Sequence, residues 1–332
     1  MKPAMKVGSM DRYSENFLNI NTDLTEIKAS VLIIGVGPQT DGVAAHNTIL
    51  HLVDEYDATQ IGTINSEELF DLSDERPQVS LDDLGNRTIE WPDASFWHLS
   101  KEKLSTSTAA PLTDTGDGDI LFFTSPEPHF KWMKIAEAIN HVATKTQIEK
   151  IILLSSFDGP VPYDKQAPIL VTSGASANDA ENPAHDFARN IADLTAASFT
   201  TPKYQGGATF TMALGTLLRN KGFMVATINA IAPFYVQNSG SPHAIDALLS
   251  AFDSLFGTNT PRYDLDEEML TLRTRLENAR NEDSTFDTFI NALDSQFLTW
   301  QENFMQTVKE PELKTEDILA DVEALFNDDQ PS

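Results

Sequence analysis

Three short stretches carry residue types that could do chemistry. The first is Ser155-Ser156-Phe-Asp158-Gly-Pro160-Val-Pro162-Tyr163-Asp164, directly after the apolar run Ile151 to Leu154. Hydroxyls and a carboxylate at a strand end suit a nucleophile or the recognition of sugar hydroxyls. No Gly-x-Ser-x-Gly elbow surrounds them, so a rigid proline-rich loop is the competing reading. The second is Ser125-Pro126-Glu127-Pro128-His129, where Glu127 and His129 could share acid/base work. A proline-flanked glutamate more often caps the following helix. The third is Gly35-Val-Gly37-Pro-Gln-Thr-Asp41-Gly42, a glycine turn that could aim backbone N–H groups at an anion. Its spacing matches neither the dinucleotide fingerprint nor the P-loop, which favours a tight strand-to-helix turn capped by Asp41. Gly206-Gly207, before a helical pattern at Ala208, is another possible donor turn.

No catalytic residue is named by these signals, and no cofactor motif is visible. The seven histidines stand at 46, 51, 98, 129, 141, 185 and 243, none paired with another at i, i+4, so no metal site is expected. Zero cysteines exclude a disulfide framework, a thiolate zinc site and a cysteine nucleophile.

These stretches need elements to hold them. Short apolar runs at Val31–Gly35, Thr59–Ile64, Ile120–Phe123, Ile151–Leu154, Ile169–Thr172 and Phe223–Ile228 read as strands. They are continuously apolar rather than alternating, so both sheet faces should be covered. Helical patterns lie between them at Gly42–Glu55, His129–Lys145, Pro183–Ala197, Ala208–Lys221 and Pro242–Phe256. The alternation predicts a three-layer α/β/α sandwich around a mostly parallel sheet. Thr88 to Ser100 reads as extra strands or a small hairpin subsheet, and residues 101 to 118 as an exposed connection.

After Pro261 the period changes. Leu265, Met269, Leu272 and Leu276 mark one helix; Asn278 to Ser284 interrupts; then Phe286, Ile290, Leu293, Phe297, Trp300 and Phe304 form a second stripe. That stripe can pack back on the α/β body or enter a partner or sister subunit, since so much apolar area does not stay in water. A last helix is expected from Thr315 to Phe326, with a frayed end beyond it. The domain reading is therefore a core over 1–262 and an acidic helical extension over 263–332.

Charge narrows the partners. With 50 acidic and 23 basic side chains the net charge is −27, and a surface of that sign repels nucleic acid and anionic lipid. Residues 264 to 332 alone hold 18 acidic and 5 basic residues. The opening stretch lacks the apolar core of a secretory signal, and no run of about 18 apolar residues occurs. A cytoplasmic protein that binds neither nucleic acid nor membrane is expected.

Several of these loops, in order, resemble the proteasome assembly chaperone 2 family, in its long bacterial form with a helical C-terminal extension. The matching residues are Glu75-Arg76-Pro77, Trp91-Pro92, Glu127-Pro128 with Trp132, Val161-Pro162, Tyr204-x-Gly206, Pro233-x-Tyr235-Val236, and Pro242-x-Ala244 with Leu248-Leu249. The family often carries histidine after the proline in the Val161-Pro162 and Pro233 loops; this chain has Tyr163 and Phe234 there. The usual Asp-Ala-Gly turn is altered to Asp41-Gly42. The resemblance implies a phosphorylase/hydrolase-like core, a homo-oligomer with a trimer favoured, and a protein partner. It frames two functions: a non-catalytic protein-binding or assembly module, or a phosphorylase- or hydrolase-like enzyme acting on a nucleoside or other small molecule.

Overall fold

The structure, a computed structural model, describes residues 17–38, 43–82, 84–104, 112, 118–175, 181–201, 205–236 and 241–304. Four apolar runs become the parallel centre of a nine-stranded sheet: β2 (Ala29–Gly37), β7 (Asp119–Pro126), β8 (Lys150–Gly159) and β11 (Met224–Pro233). Their order across the sheet is β7-β2-β8-β11. On one side β6 (Ala94–Leu99), β3 (Thr59–Ile64) and β1 (Leu18–Ile20) add antiparallel partners. On the other, β9 (Ile169–Thr172) runs antiparallel to β11, and β10 (Ser198–Thr200) pairs parallel to β9.

Both faces of the centre are buried, as the unbroken apolar runs require. Val31, Ile33, Ile152 and Ile228 face α1 (Ala44–Glu55), α3 (Pro183–Leu194) and α5 (Pro242–Phe256). Their neighbours Leu32, Ile34, Ile151, Leu153 and Val225 face α2 (Trp132–Lys145) and α4 (Phe210–Asn220). One step along a strand moves a side chain from one helical layer to the other.

The extra strands and the small hairpin sheet expected over Thr88 to Ser100 are both present, divided at Trp91-Pro92-Asp93. The first part of that stretch, β5 (Arg87–Glu90), pairs with β4 (Gln78–Leu81) in a separate two-stranded sheet, but β6 enters the main sheet between β3 and β7. Burial decides this, because Phe96 is enclosed and packs tilted against Phe123 with ring centres 4.7 Å apart. Other expectations are corrected. Within the connection after β6, Leu112 is buried and donates its N–H to the Leu255 carbonyl, so at that residue the connection is not exposed. The interruption expected over Asn278 to Ser284 shrinks to Asp283, between α6 (Tyr263–Glu282) and α7 (Ser284–Phe304). The Asp283 carboxylate accepts from the N–H of Thr285 at 2.7 Å and so starts α7 at once. The side chains of Trp300 and Phe304, and the helix expected at Thr315–Phe326, lie outside the described residues. No described helix is long and apolar enough to cross a membrane.

Candidate functional site

Each parallel strand reaches the same rim and stops at proline: Gly37-Pro38, Ser125-Pro126, Gly159-Pro160 and Ala232-Pro233. Proline cannot donate to the ladder, so pairing ends there. Open α/β sheets bind ligands beyond such carboxyl ends, where the strand order reverses. Here the reversal lies between β2 and β8, and the sheet splits at that point. Pairing of β2 with β8 ends at Gly35 opposite Leu154. Past it, β2 stays with β7 as far as Gly37 opposite Pro126, while β8 stays with β11 as far as Gly159 opposite Pro233.

The expected site residues distribute across these two leaves. Gly35 lies inside β2 rather than in a turn, and a side chain there would strike the Ala45 carbonyl oxygen at 2.2 Å. Its missing Cβ serves strand-to-helix packing. Gly37 is the last residue of the strand. Asp41 lies outside the described residues, and α1 has Val43 at its N-cap with no side-chain bond. Ser125 is buried and donates to the carbonyl of Pro126 at 2.7 Å.

Glu127 is a cap, though of a different helix from the expected one. Its carboxylate accepts from the N–H of Phe210 at 2.9 Å, at the start of α4, beside the cap made by Thr209 to Met212 at 3.3 Å. The following helix α2 begins after Lys131, whose φ of 64° turns the chain away. His129 faces elsewhere: its Nδ1 accepts from the N–H of Asp71 at 3.3 Å, so Nε2 donates to Asp74 at 3.1 Å. The structure does not bring Glu127 and His129 together as a pair.

Ser155, Ser156 and Asp158 lie within β8, opposite Asn229, Ala230 and Ala232, rather than in a loop after Leu154. Strand alternation sends Ser155 to one face and Ser156 with Asp158 to the other. Gly206 and Gly207 are exposed ahead of α4, and a side chain on Gly207 would meet nothing.

One cluster there was invisible in the sequence. Thr124 Oγ1 donates to the Gly35 carbonyl at 2.9 Å, so it accepts from His46 Nδ1 at 2.7 Å. His46 belongs to the first turn of α1, and burial pushes its pKa down to about 4. The ring is neutral at pH 7, with Nδ1 committed as a donor. His243, in the first turn of the neighbouring α5, is also lowered by burial, opposed by the carboxylate of Asp246. His46 and Thr124 are separated by 78 positions, and no spacing rule joins them. The only available signal was a histidine beside Ala44-Ala45, where small residues announce close packing on a strand. Among the described residues no three metal-ligating side chains gather.

The β8–β11 leaf ends differently. Phe297 of α7 is buried against Val161, Ile231 and Phe157. Ile290 and Leu293 are buried against Tyr163, with Phe234, Tyr235, Phe286 and Phe289 around them. The described part of the apolar stripe, Phe286 to Phe297, thus packs back on its own chain. Burial pushes the Tyr235 phenol above its ordinary range. An ionic joint sets the direction in which the extension leaves α5: Arg262 contacts Asp246 at 2.7 Å and Asp253 at 2.8 Å. Burial raises the Asp253 pKa, but donors from Thr260, Thr258 and Arg262 outweigh it and hold the carboxyl below its usual range. Between α6 and α7, Arg280 grips Asp287 through Nε and Nη2 at 3.0 and 2.8 Å.

Comparison with known structures points one way. A protein of unknown function from Corynebacterium glutamicum is similar at 20% identity and a TM-score of 0.69, covering 87% of this chain and 99% of that one. A PAC2 family protein from Streptomyces avermitilis is similar at 21% and 0.59, covering 75% and 95%. A proteasome-assembly chaperone homologue from Mycobacterium tuberculosis is similar at 18% and 0.59, covering 78% and 99%. Among curated proteins none matches the sequence. The family model described as the PAC2 family matches residues 40–280, most of the core and nearly all of α6, and the chain belongs to that family.

Proposed function

We propose that this chain is a non-catalytic protein-binding module of the assembly type. The supporting observation is that the chemistry-bearing side chains at the rim are spent on the fold. Glu127 holds the start of α4, His129 holds the Asp71–Asp74 loop, and the β8–β11 leaf is closed beneath α7. Family membership supports the same reading, and a similar mycobacterial protein is described as a proteasome-assembly chaperone homologue. In this reading residues 1–262 form the working core and residues 263–332 an acidic extension. The protein is cytoplasmic and homo-oligomeric, with a trimer as the form to test by light scattering.

The deciding experiment pairs two measurements on the full chain. Melting curves are recorded with phosphate, nucleosides and ATP, where a ligand at 100 times its Kd adds about 2.7 kcal/mol. Crosslinking in cells is read for a stoichiometric protein partner. Flat melting curves with a reproducible partner support the proposal; turnover of a small molecule with no partner overturns it. The runner-up, a phosphorylase- or hydrolase-like enzyme, is favoured by the neutral His46 at the split of the sheet. A stabilising ligand whose effect disappears in His46→Gln would establish it.

A further inference from the structure

The two-stranded sheet of β4 and β5 is the part of the described molecule that least resembles a finished surface. Val79 stands directly opposite Ile89, and Leu81 opposite Arg87, so these residues share one face. Val79 is 64% exposed, Leu81 68%, Ile89 56%, Trp91 53% and Leu84, in the turn, 87%. The other face is polar and internally satisfied: Thr88 donates to Ser80, and Ser80 donates to Glu90 at 2.7 Å. The turn is fixed by Asp82, whose carboxylate accepts from the N–H groups of Leu84 and Asn86 at 2.9 and 2.8 Å. A hairpin shaped this deliberately yet leaving its apolar face in water is a marginal element by itself. Exposed apolar patches rimmed by polar groups mark protein contact sites.

Charge selects the occupant. From Asp71 to Asp93 the sequence holds seven acidic and two basic residues. A second copy of this chain docked on this face would bring the same acidic segment against it, and like charges across an interface are unfavourable. We infer that the Val79/Leu81/Ile89/Trp91 face is a docking surface for a protein partner that presents an apolar patch bordered by lysine or arginine. The inference rests on the protein-binding reading and gives it a location and a partner chemistry.

The test uses the full chain and a ten-residue peptide alternating leucine and lysine, with its leucine/glutamate counterpart as control. Trp91 is the reporter, assigned by Trp91→Phe. The cationic peptide is expected to shift tryptophan emission to the blue and to bind at least tenfold more tightly than the anionic one. Val79→Ser with Ile89→Ser keeps the net charge and removes the apolar face. It should weaken binding at least tenfold with an unchanged melting temperature, and Leu84→Ser, at the most exposed position, should weaken it by a smaller factor. Equal binding by the double variant would reduce the effect to bulk charge and overturn the inference, as would equal binding of the anionic peptide. A fall in oligomeric mass in the double variant would identify a second copy as the occupant and also overturn it. None of these failures touches the wider protein-binding reading, which turnover of a small molecule would end.

Discussion

The two leaves of the rim begin from the same pattern, an apolar strand running into proline, and finish in opposite ways. Pairing of β2 with β8 stops at Gly35 and Leu154, and beyond that point each leaf follows its own neighbours. On the β8–β11 leaf Val161, Tyr163 and Ile231 are buried under Phe297, Ile290 and Leu293. On the β2–β7 leaf the same height is occupied by Thr124, Ser125 and the neutral His46. The contrast teaches that a sheet of uniform apolar strands can commit one half of its mouth to stability while the other keeps polar groups. Tyr163 and Phe234 are among the aromatic side chains that receive α7.

Removing the seal should have the largest effect. Phe297→Ala leaves a cavity between α7 and β8–β11 and is expected to cost about 3–5 kcal/mol in denaturant melts; a loss below about 1 kcal/mol would mean that α7 does not close that leaf. The polar leaf is tested by acid. His46 has a folded pKa of about 4 against an ordinary 6.5, so its stabilisation is complete above pH 6.5 and is lost as pH falls through 4. At most about 3 kcal/mol is involved, and His46→Gln should flatten the stability profile between those limits. If the profile keeps its slope, the burial of His46 is not what separates the leaves.

Arg262→Ala should come next, at about 2 kcal/mol, because it strands the partly buried carboxylates of Asp246 and Asp253. Faster hydrogen exchange throughout α7 would accompany it if this joint aims the extension, and exchange confined to α5 would sever that link. Glu127→Ala should cost about 1 kcal/mol, the usual value of a lost cap, with faster exchange at Phe210 as its local signature. The smallest effect is expected at the hairpin, where Val79→Ser with Ile89→Ser should change stability by less than about 0.5 kcal/mol per site.

Much of the scaffold was legible in the residues. Ile169–Thr172 and Pro242–Phe256 form elements with the bounds their patterns predict. The apolar runs at 31, 120, 151 and 223 all become strands, although β8 continues past Leu154 to Gly159 because β11 pairs with it there. Short β1, β4 and β10 gave no pattern, since their three or four residues mix polar with apolar and lack the continuous apolar run that marks Ile169–Thr172. The site was much less legible. Ser155, Ser156 and Asp158 looked like one loop and are divided between two faces. Glu127 looked like the cap of α2 and is the cap of α4, a partner 83 positions away.

What the sequence determined by itself was the layered α/β/α architecture, the acidic surface and the two amphipathic helices at the end. These follow from local periodicity and composition, which act over a few residues at a time. Only the tertiary structure decided that the strands part after Gly35, that α7 returns to its own chain, and that His46 meets Thr124. Those outcomes depend on which side chains exclude water together, and that is a property of neighbours brought close by folding rather than of neighbours along the chain.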